Sequence, residues 1–224
     1  MAAWHGMGVA RSMTSTLATG IEVLDRKLDG GLPSGKVVLL SASPVSQSEL
    51  FLYEMASVRP TAYLTTERRE SDVRRSLQEA ETPLADIDIY CIDAGDPLME
   101  AQELLEELRG WGLEGSTLIV DPMQTLERTE TNRYLPFMND VKAWTAETDG
   151  LTILHCLEGR RVPEQRDRTE YLADIVFSLS TTVRGGTLQN ELAIPKFRGG
   201  EALAEAIDLD LTADVTIDVT RKIA

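Results

Sequence analysis

Short apolar runs rich in β-branched residues alternate along this chain with stretches whose apolar residues recur at helical spacing. The runs are nearly continuous, which is typical of strands buried on both faces. Such strands, joined by helices, predict an α/β fold with a mostly parallel sheet flanked by helices on both faces. The predicted strands are 37–41, 62–66, 87–92, 117–120, 151–157 and 175–179, and the predicted helices are 46–58, 69–80, 97–109 and 134–147.

The helical pattern stops near residue 175. We expect the runs at 187–197, 206–211 and 215–219 to be antiparallel strands that extend or flank the sheet. No Gly/Ser-rich linker, internal repeat or low-complexity tract divides the chain, so we expect a single domain over 17–224. Residues 1–16 lack the apolar core of a secretory signal. We expect them to be a disordered N-terminal extension, with Met1 or Met13 as the native start.

The 224-residue chain has 37 acidic and 22 basic residues, a formal net charge of −15, and only five of the basic residues are lysine. A field of this sign repels nucleic acid phosphates, so a nucleic acid partner is not expected. No apolar run approaches the ~18 residues that span a bilayer, and we expect no membrane association. Two cysteines inside apolar runs suit a reduced compartment, which predicts a cytoplasmic protein. The acidic, lysine-poor composition resembles that of haloarchaeal proteins.

The glycine-rich segment 30–36, GGLPSGK, fits part of the phosphate-binding pattern GxxxxGK[ST]. It lacks the final Ser/Thr, and it precedes the first predicted strand. A phosphate cradle follows its strand, because the loop amides and the helix dipole must converge on the anion. We therefore interpret this segment as a turn that leads into strand 37–41.

The loop after strand 37–41 has the position of an anion-binding loop but not its residues. It has no glycine that would let amides approach a phosphate closely, and Pro44 removes one donor. Ser48 stands at the register of the phosphate-binding lysine. Glu49 stands where a hydroxyl would bind magnesium, and its carboxylate repels a triphosphate. The vestigial nucleotide-binding residues of this loop are Ser43, Ser46, Gln47, Ser48 and Glu49.

Six segments in register resemble the KaiC-like branch of the RecA superfamily across nearly all of 17–224. Their spacing along the chain also matches that branch. The segments are 19–35 (with TGI, LD and GGLPSG), 37–49, 63–70 (YLTTERRE), 116–121 (STLIVD), 171–176 (YLADIV) and 192–200 (LAIPKFRGG). The resemblance implies a RecA-like P-loop ATPase fold and assembly into rings or filaments.

The resemblance also implies site residues, of which this sequence keeps only some. Glu67 and Arg68 stand where the family has a pair of glutamates that activate the attacking water, so Glu67 is the one candidate catalytic base. Asp121 matches the Walker B aspartate and is the candidate metal ligand, if magnesium is bound. Lys196 and Arg198 match residues that reach a neighbouring subunit's nucleotide, which makes them candidate trans-acting or interface residues.

Each of these residues also has a purely structural interpretation. Asp121 can start the turn that follows its strand. Glu67 lies in a charged run that can be a solvated helix start. Lys196 and Arg198, two residues apart on one side of a strand, can protect a sheet edge.

Two further groups of residues are expected to be structural. We expect His155 and Cys156, late in an apolar strand, to be core or sheet-end residues and not ligands. Nearby acids balance the basic residues that follow this strand, which predicts a solvated loop and not a DNA-binding one. These basic residues are the arginines at 160, 161, 166 and 168.

The sequence therefore favours a KaiC-like protein with a degenerate P-loop that does not hydrolyse nucleotide. Such a pseudo-ATPase would be a regulatory, signalling or scaffold protein that acts through a protein partner or self-association, and we expect it to need no cofactor. One alternative is an unorthodox ATPase that binds ATP and magnesium. Another is a recombination or DNA-repair accessory protein.

Overall fold

A nine-stranded sheet forms the centre of the protein in a computed structural model that describes residues 15–83, 86–92, 95–112, 114–200, 203–211 and 215–217. The strands are β1 (Thr16–Leu17), β2 (Leu32–Pro33), β3 (Lys36–Ala42), β4 (Thr61–Thr65), β5 (Ile87–Cys91), β6 (Thr117–Asp121), β7 (Leu151–Leu157), β8 (Ile175–Arg184), β9 (Thr187–Phe197), β10 (Ile207–Leu211) and β11 (Val215–Ile217). The helices are α1 (Glu22–Lys27), α2 (Glu49–Ser57), α3 (Glu70–Glu79), α4 (Pro97–Arg109), α5 (Gln124–Glu127), α6 (Thr131–Glu147) and α7 (Arg166–Leu172).

The strand order is β11-β10-β9-β8-β3-β7-β6-β4-β5. The six strands from β8 to β5 in this order run parallel, and β9, β10 and β11 continue the sheet antiparallel. Strands β1 and β2 pair separately. The predicted fold class, a mostly parallel α/β sheet flanked by helices with antiparallel C-terminal strands, is confirmed.

Helices cover both faces of the parallel strands, which explains why those strands are apolar along their whole length. Alternate side chains of β3 enter opposite cores, with Val38 and Leu40 on one face and Val37 and Leu39 on the other. Helices α1, α2 and α3 pack on the first face. Helices α4, α5 and α6 pack on the second, where Trp144 is fully buried.

Loops that follow β4 and β6 leave the sheet toward opposite faces, because β4 leads to α3 and β6 leads to α5. These two strands are neighbours in the sheet. A crevice between diverging loops at the carboxyl ends of strands is where open α/β sheets bind their ligands. The topology therefore places the expected ligand-binding crevice at this edge of the sheet.

Residues at the start of the described chain already belong to the fold. Thr16 pairs with Pro33, and the Ser15 hydroxyl donates to Ser34 Oγ at 3.0 Å. Of the residues that the sequence assigned to the extension, Thr16 is thus part of this small sheet and Ser15 is hydrogen-bonded beside it. Residues 1–14 of the expected extension, and 218–219 of the last expected strand, lie outside the described residues. Within the described ranges, no helix has the length and apolarity to span a membrane.

Candidate functional site

The loop that follows β3 is closed by its own hydrogen bonds. The Ser46 N–H and hydroxyl both donate to the Ser43 carbonyl, at 3.0 and 2.6 Å. The Val45 N–H reaches Ser43 Oγ at 3.4 Å, and Pro44 has no N–H. The loop therefore directs these donors to its own atoms and forms a tight turn ahead of α2.

Ser48, the residue immediately before α2, is buried at the end of this loop. Its Oγ lies 3.0 Å from His155 Nε2. The other ring nitrogen, His155 Nδ1, lies 2.6 Å from Asp121 Oδ1. All three residues are at most 3% exposed. Three strands that are neighbours in the sheet, β3, β7 and β6, thus bring together a serine, a histidine and an aspartate in one hydrogen-bonded chain.

The second carboxylate oxygen of Asp121 is also engaged. The Tyr63 hydroxyl, on β4, donates to Asp121 Oδ2 at 2.6 Å, and an Arg68 guanidinium nitrogen lies 3.9 Å from the same oxygen. Burial alone would raise the pKa of Asp121, but hydrogen bonds from His155 and Tyr63 and the Arg68 charge hold that pKa below its ordinary value. Asp121 is therefore ionised at neutral pH.

The ionised state of Asp121 determines the direction of the hydrogen bonds. A carboxylate can only accept, so His155 Nδ1 carries a proton and donates it to Asp121. In a neutral imidazole the other nitrogen, Nε2, is then an acceptor. With the imidazole neutral, the Ser48 hydroxyl donates to His155 Nε2. The hydrogen bonds thus connect the serine hydroxyl, the imidazole and the carboxylate in that order.

A cavity of about 380 Å³ lies between α2 and α3, and its lining does not include Ser48, His155 or Asp121. Gln47 and Glu49, the neighbours of Ser48, both line it, as does Arg68. The Arg68 guanidinium is fixed there by the Tyr53 hydroxyl at 3.0 Å and by Ser76 Oγ at 2.6 Å. The cavity wall thus combines carboxylate, amide, hydroxyl and guanidinium groups.

Glu67 lies on the same edge of the sheet but outside the Ser48–His155–Asp121 chain. Its side chain is exposed, and Oε1 accepts a hydrogen bond from Thr125 Oγ1 at 3.2 Å. Glu67 lies three residues before the first residue of α3. The structure therefore places Glu67 in the loop after β4 and Asp121 at the end of the neighbouring strand β6, without a direct contact between the two carboxylates among the described hydrogen bonds.

Lys196 and Arg198 lie at the end of the sheet where the parallel strands begin, opposite the carboxyl ends at which Asp121 lies. Lys196 pairs with Val176 near the amino end of the parallel strands, far along the sheet from Asp121. The Lys196 ammonium donates to the Glu170 and Tyr171 carbonyls at 2.7 and 2.8 Å, and Arg198 donates to the Tyr171 carbonyl at 3.0 Å. Both cations thus cap the C-terminal end of α7, a favourable position for positive charge.

The interpretation of Arg166 as part of a solvated loop is wrong. Arg166 is 4% exposed and pairs with Glu127, which is fully buried, through Nε–Oε1 and Nη2–Oε2 contacts of 2.9 and 2.7 Å. Thr169 Oγ1 donates to the same carboxylate at 2.6 Å. The other arginines of the segment, Arg160, Arg161 and Arg168, are exposed as expected.

His155 is buried at the sheet end, as the sequence predicted, but its two partners were not foreseen. The sequence feature that could have indicated these contacts is the position of three residues: a histidine late in one strand, an aspartate at the end of another, and a serine at the lysine register of the loop. The glycine-rich segment behaves as predicted, since Gly35 immediately precedes β3. Among the described residues, no group of three or more His, Cys, Asp or Glu side chains is placed to hold a metal ion.

Comparison with solved structures identifies the fold. The chain is similar to the crystal structure of the KaiC-like protein PH0186 from the hyperthermophilic archaeon Pyrococcus horikoshii OT3, with a TM-score of 0.73. The match covers 91% of this chain and 99% of that one at 16% sequence identity, which shows the fold alone. The KaiC-like RecA-superfamily fold that the sequence resembles is therefore confirmed.

Sequence comparison gives the family. The chain belongs to DUF7125, a family of unknown function, whose model matches residues 16–224. It is also 29% identical over 138 residues to a DNA repair protein RadA of Mycolicibacterium smegmatis. That match covers 59% of this chain and 28% of the relative, so the chain aligns with about a quarter of that protein's length.

Proposed function

We propose that this protein is a KaiC-like RecA-fold protein with a degenerate P-loop, which does not hydrolyse nucleotide and acts through a protein partner or self-association. One observation carries the proposal. At the register of the phosphate-binding lysine, Ser48 is buried and its hydroxyl is hydrogen-bonded to His155, which is hydrogen-bonded in turn to Asp121. A neutral hydrogen-bonded serine occupies the place of a free cation.

Charge and hydrogen bonding at this loop both disfavour a triphosphate. The Glu49 carboxylate adds negative charge where the family binds an anion, and one like-charge pair at 4 Å costs about 4 kcal/mol at an effective dielectric constant of 20. Both Asp121 oxygens already accept hydrogen bonds, from His155 and Tyr63. The Ser46 amide is used inside the loop. These residues do not fit ATP and magnesium as the family binds them.

A surface at the amino ends of the parallel strands supports action through protein contacts. Lys196 and Arg198 lie there beside Tyr171, which is 73% exposed, with both cations within 6 Å of its ring centroid. An exposed aromatic ring held by two cations resembles the anchors of protein interfaces. In a chain of net charge −15, this cluster is complementary to an acidic partner surface or to another copy of the chain.

Calorimetry with ATP and magnesium at high potassium concentration tests the nucleotide part of the proposal. We expect no binding by the wild type at millimolar ligand, and binding by the variant Gln47→Gly, Ser48→Lys, Glu49→Thr, which supplies the missing cation and hydroxyl. A matched control, Gln47→Gly, Ser48→Thr, Glu49→Asp, changes the same positions without a cation and should not bind. Binding by the wild type would overturn the proposal.

Light scattering tests whether the protein acts through self-association. If the protein self-associates, Lys196→Ala with Arg198→Ala should lower the mass of the assembly, because both cations leave the proposed contact surface. Arg74→Ala is the control for loss of surface charge, because Arg74 is a half-buried arginine on α3 whose ion pair among the described residues is with Glu70. A wild-type mass equal to one chain at every concentration would exclude self-association and leave a different protein as the partner.

The unorthodox ATPase is the second candidate, because Glu67, in the loop after β4, and Asp121, at the end of the neighbouring strand β6, share the carboxyl-end edge of the sheet. It predicts ATP turnover by the wild type and loss of that turnover in Glu67→Gln. A DNA-repair accessory role follows only from the partial likeness to RadA. Two assays distinguish these two candidate functions: phosphate release from ATP and retention of single-stranded DNA on a filter.

A further inference from the structure

We propose that an aromatic cavity beside the last strand of the sheet binds the trimethylammonium head group of a small cationic compound. Strand β5 ends the strand order, and its Tyr90 packs beside Trp111, which follows α4. A cavity of about 160 Å³ lies against both residues. Its lining includes no residue of the loop from Ser43 to Glu49, so the inference goes beyond the proposed function.

Two aspartates of the segment that forms β5 face this cavity. Side chains alternate along a strand, so Asp86, Asp88 and Tyr90 share one face, and all three line the cavity. The residues between them, Ile87 and Ile89, pack in the core on the other face of the sheet. Both aspartates are exposed, and neither carboxylate has a hydrogen bond or an ion pair with another described residue. Two negative charges therefore face the cavity without a balancing cation from the described chain.

The aromatic rings add a second attraction for a cation. The ring centroids of Tyr90 and Trp111 lie 6.3 Å apart, their planes are tilted by 46°, and Trp111 is 51% exposed. A cation interacts with a ring face within about 6 Å of the centroid, so one cation can lie close to both rings. The cation–ring contacts among the described residues are both at Tyr171. The pair of rings at β5 thus remains accessible to a cation from outside the described chain.

The end of α4 contributes in the same direction. Leu108, in the last turn of this 13-residue helix, lines the cavity, and the Trp111 N–H donates to the Leu108 carbonyl at 3.2 Å. The C-terminal end of a helix carries partial negative charge and favours a nearby cation. Charged side chains also protect an edge strand from pairing. Edge protection explains the aspartates, but it does not explain a half-exposed tryptophan beside them.

The size and charge of the cavity determine the class of ligand. Its 160 Å³ is about half of the roughly 300 Å³ at which small-molecule sites begin, so it suits one head group. A trimethylammonium group has a positive charge and no N–H donor, and its methyl groups pack on ring faces. A carboxylate on the same ligand, as in glycine betaine, would be repelled by Asp86 and Asp88. Choline, whose other end is a neutral alcohol, is therefore the probe of choice.

Proton NMR of choline tests the site directly, because methyl protons that lie over an aromatic ring shift upfield. We expect the wild type, folded by circular dichroism, to shift the choline methyl signal upfield and to transfer saturation to it. The compound 3,3-dimethyl-1-butanol has the shape of choline with carbon in place of the charged nitrogen. This neutral analogue and glycine betaine should each bind at least about tenfold more weakly than choline.

Variants of surface residues locate the binding. Trp111→Ala should weaken choline binding about tenfold, and Trp111→Phe should weaken it less, because indole is the strongest cation–ring partner. Asp88→Asn should also weaken binding, since it removes one of the two carboxylates. Asp167→Asn is the matched control, because it makes the same chemical change at an exposed aspartate on α7, and it should bind choline like the wild type.

The comparison of ligands uses the wild type alone and does not depend on the folding of any variant. Equal binding of choline and its neutral analogue, or a choline signal that the folded wild type leaves unshifted, would overturn the proposal. Unchanged binding in Trp111→Ala would do the same. Tighter binding of a peptide with Nε-trimethyllysine than of choline would contradict the assignment to a free compound. Calorimetry with ATP tests the proposed function separately, so the two can fail independently.

Discussion

The buried Glu127–Arg166 pair offers the largest single-residue effect that the structure predicts. Glu127 is fully buried on α5 and Arg166 is 4% exposed on α7, so solvent screening of the pair is weak. The Glu127 carboxylate accepts from the guanidinium and from Thr169. Glu127→Gln keeps the shape of the side chain but leaves the Arg166 charge buried without a counter-charge.

Removing one partner of a buried ion pair costs about 3–5 kcal/mol. For a domain of this size each kcal/mol shifts the melting temperature by roughly 2–4 °C. Glu127→Gln should therefore lower the melting temperature by about 6–20 °C. Urea unfolding followed by circular dichroism measures the free energy directly, provided that the m-value is unchanged.

Glu70→Gln is the matched control, because it makes the same chemical change in an exposed pair with Arg74. Exposed pairs contribute about 0–1 kcal/mol, so this variant should be close to wild type. The double variant Glu127→Gln, Arg166→Met should be more stable than Glu127→Gln alone, because the unpaired charge is gone. Equal losses in Glu127→Gln and Glu70→Gln would refute the reasoning.

Three further predictions concern acid stability, a glycine and nucleic acid. Because folding lowers the pKa of Asp121, the ionised carboxylate stabilises the folded protein above about pH 4, and this stabilisation is lost as the pH falls through the folded pKa. The free energy of unfolding should therefore fall less on acidification in Asp121→Asn than in the wild type, as pH-dependent unfolding can measure. Gly31→Ala should destabilise more than Gly30→Ala, since both have positive φ but only a Cβ at Gly31 would lie 2.3 Å from the Leu17 carbonyl, as thermal unfolding can measure. Filter binding should retain no single-stranded DNA, given the net charge of −15.

The long elements could be predicted from the sequence because their apolar patterns are long enough to be unambiguous. Strand 151–157, helix 97–109 and strand 187–197 have the predicted bounds. Helix 46–58 begins later than predicted, at Glu49, because the turn over Ser43–Ser46 occupies the start of the pattern. Helices α1, α5 and α7 were missed because four to seven residues carry little periodicity.

The candidate site could be predicted only in part. Ser48 and Asp121 were found because the resemblance supplied their registers in the loop and the strand. His155 was assigned to the core, since sequence alone does not show that β7 lies between β3 and β6. The Glu127–Arg166 pair joins residues 39 apart, and the arginine's local sequence, with balanced charges, resembles a solvated loop.

A crystal structure grown with millimolar ATP and magnesium tests the central claim most directly. The claim is that the loop from Ser43 to Glu49 is closed by its own hydrogen bonds and by the contact of Ser48 with His155. The expected result is this loop with no nucleotide in it and the Ser48 Oγ–His155 Nε2 contact kept at 3.0 Å. A triphosphate seated on the loop amides, with Ser48 turned away from His155, would contradict the account.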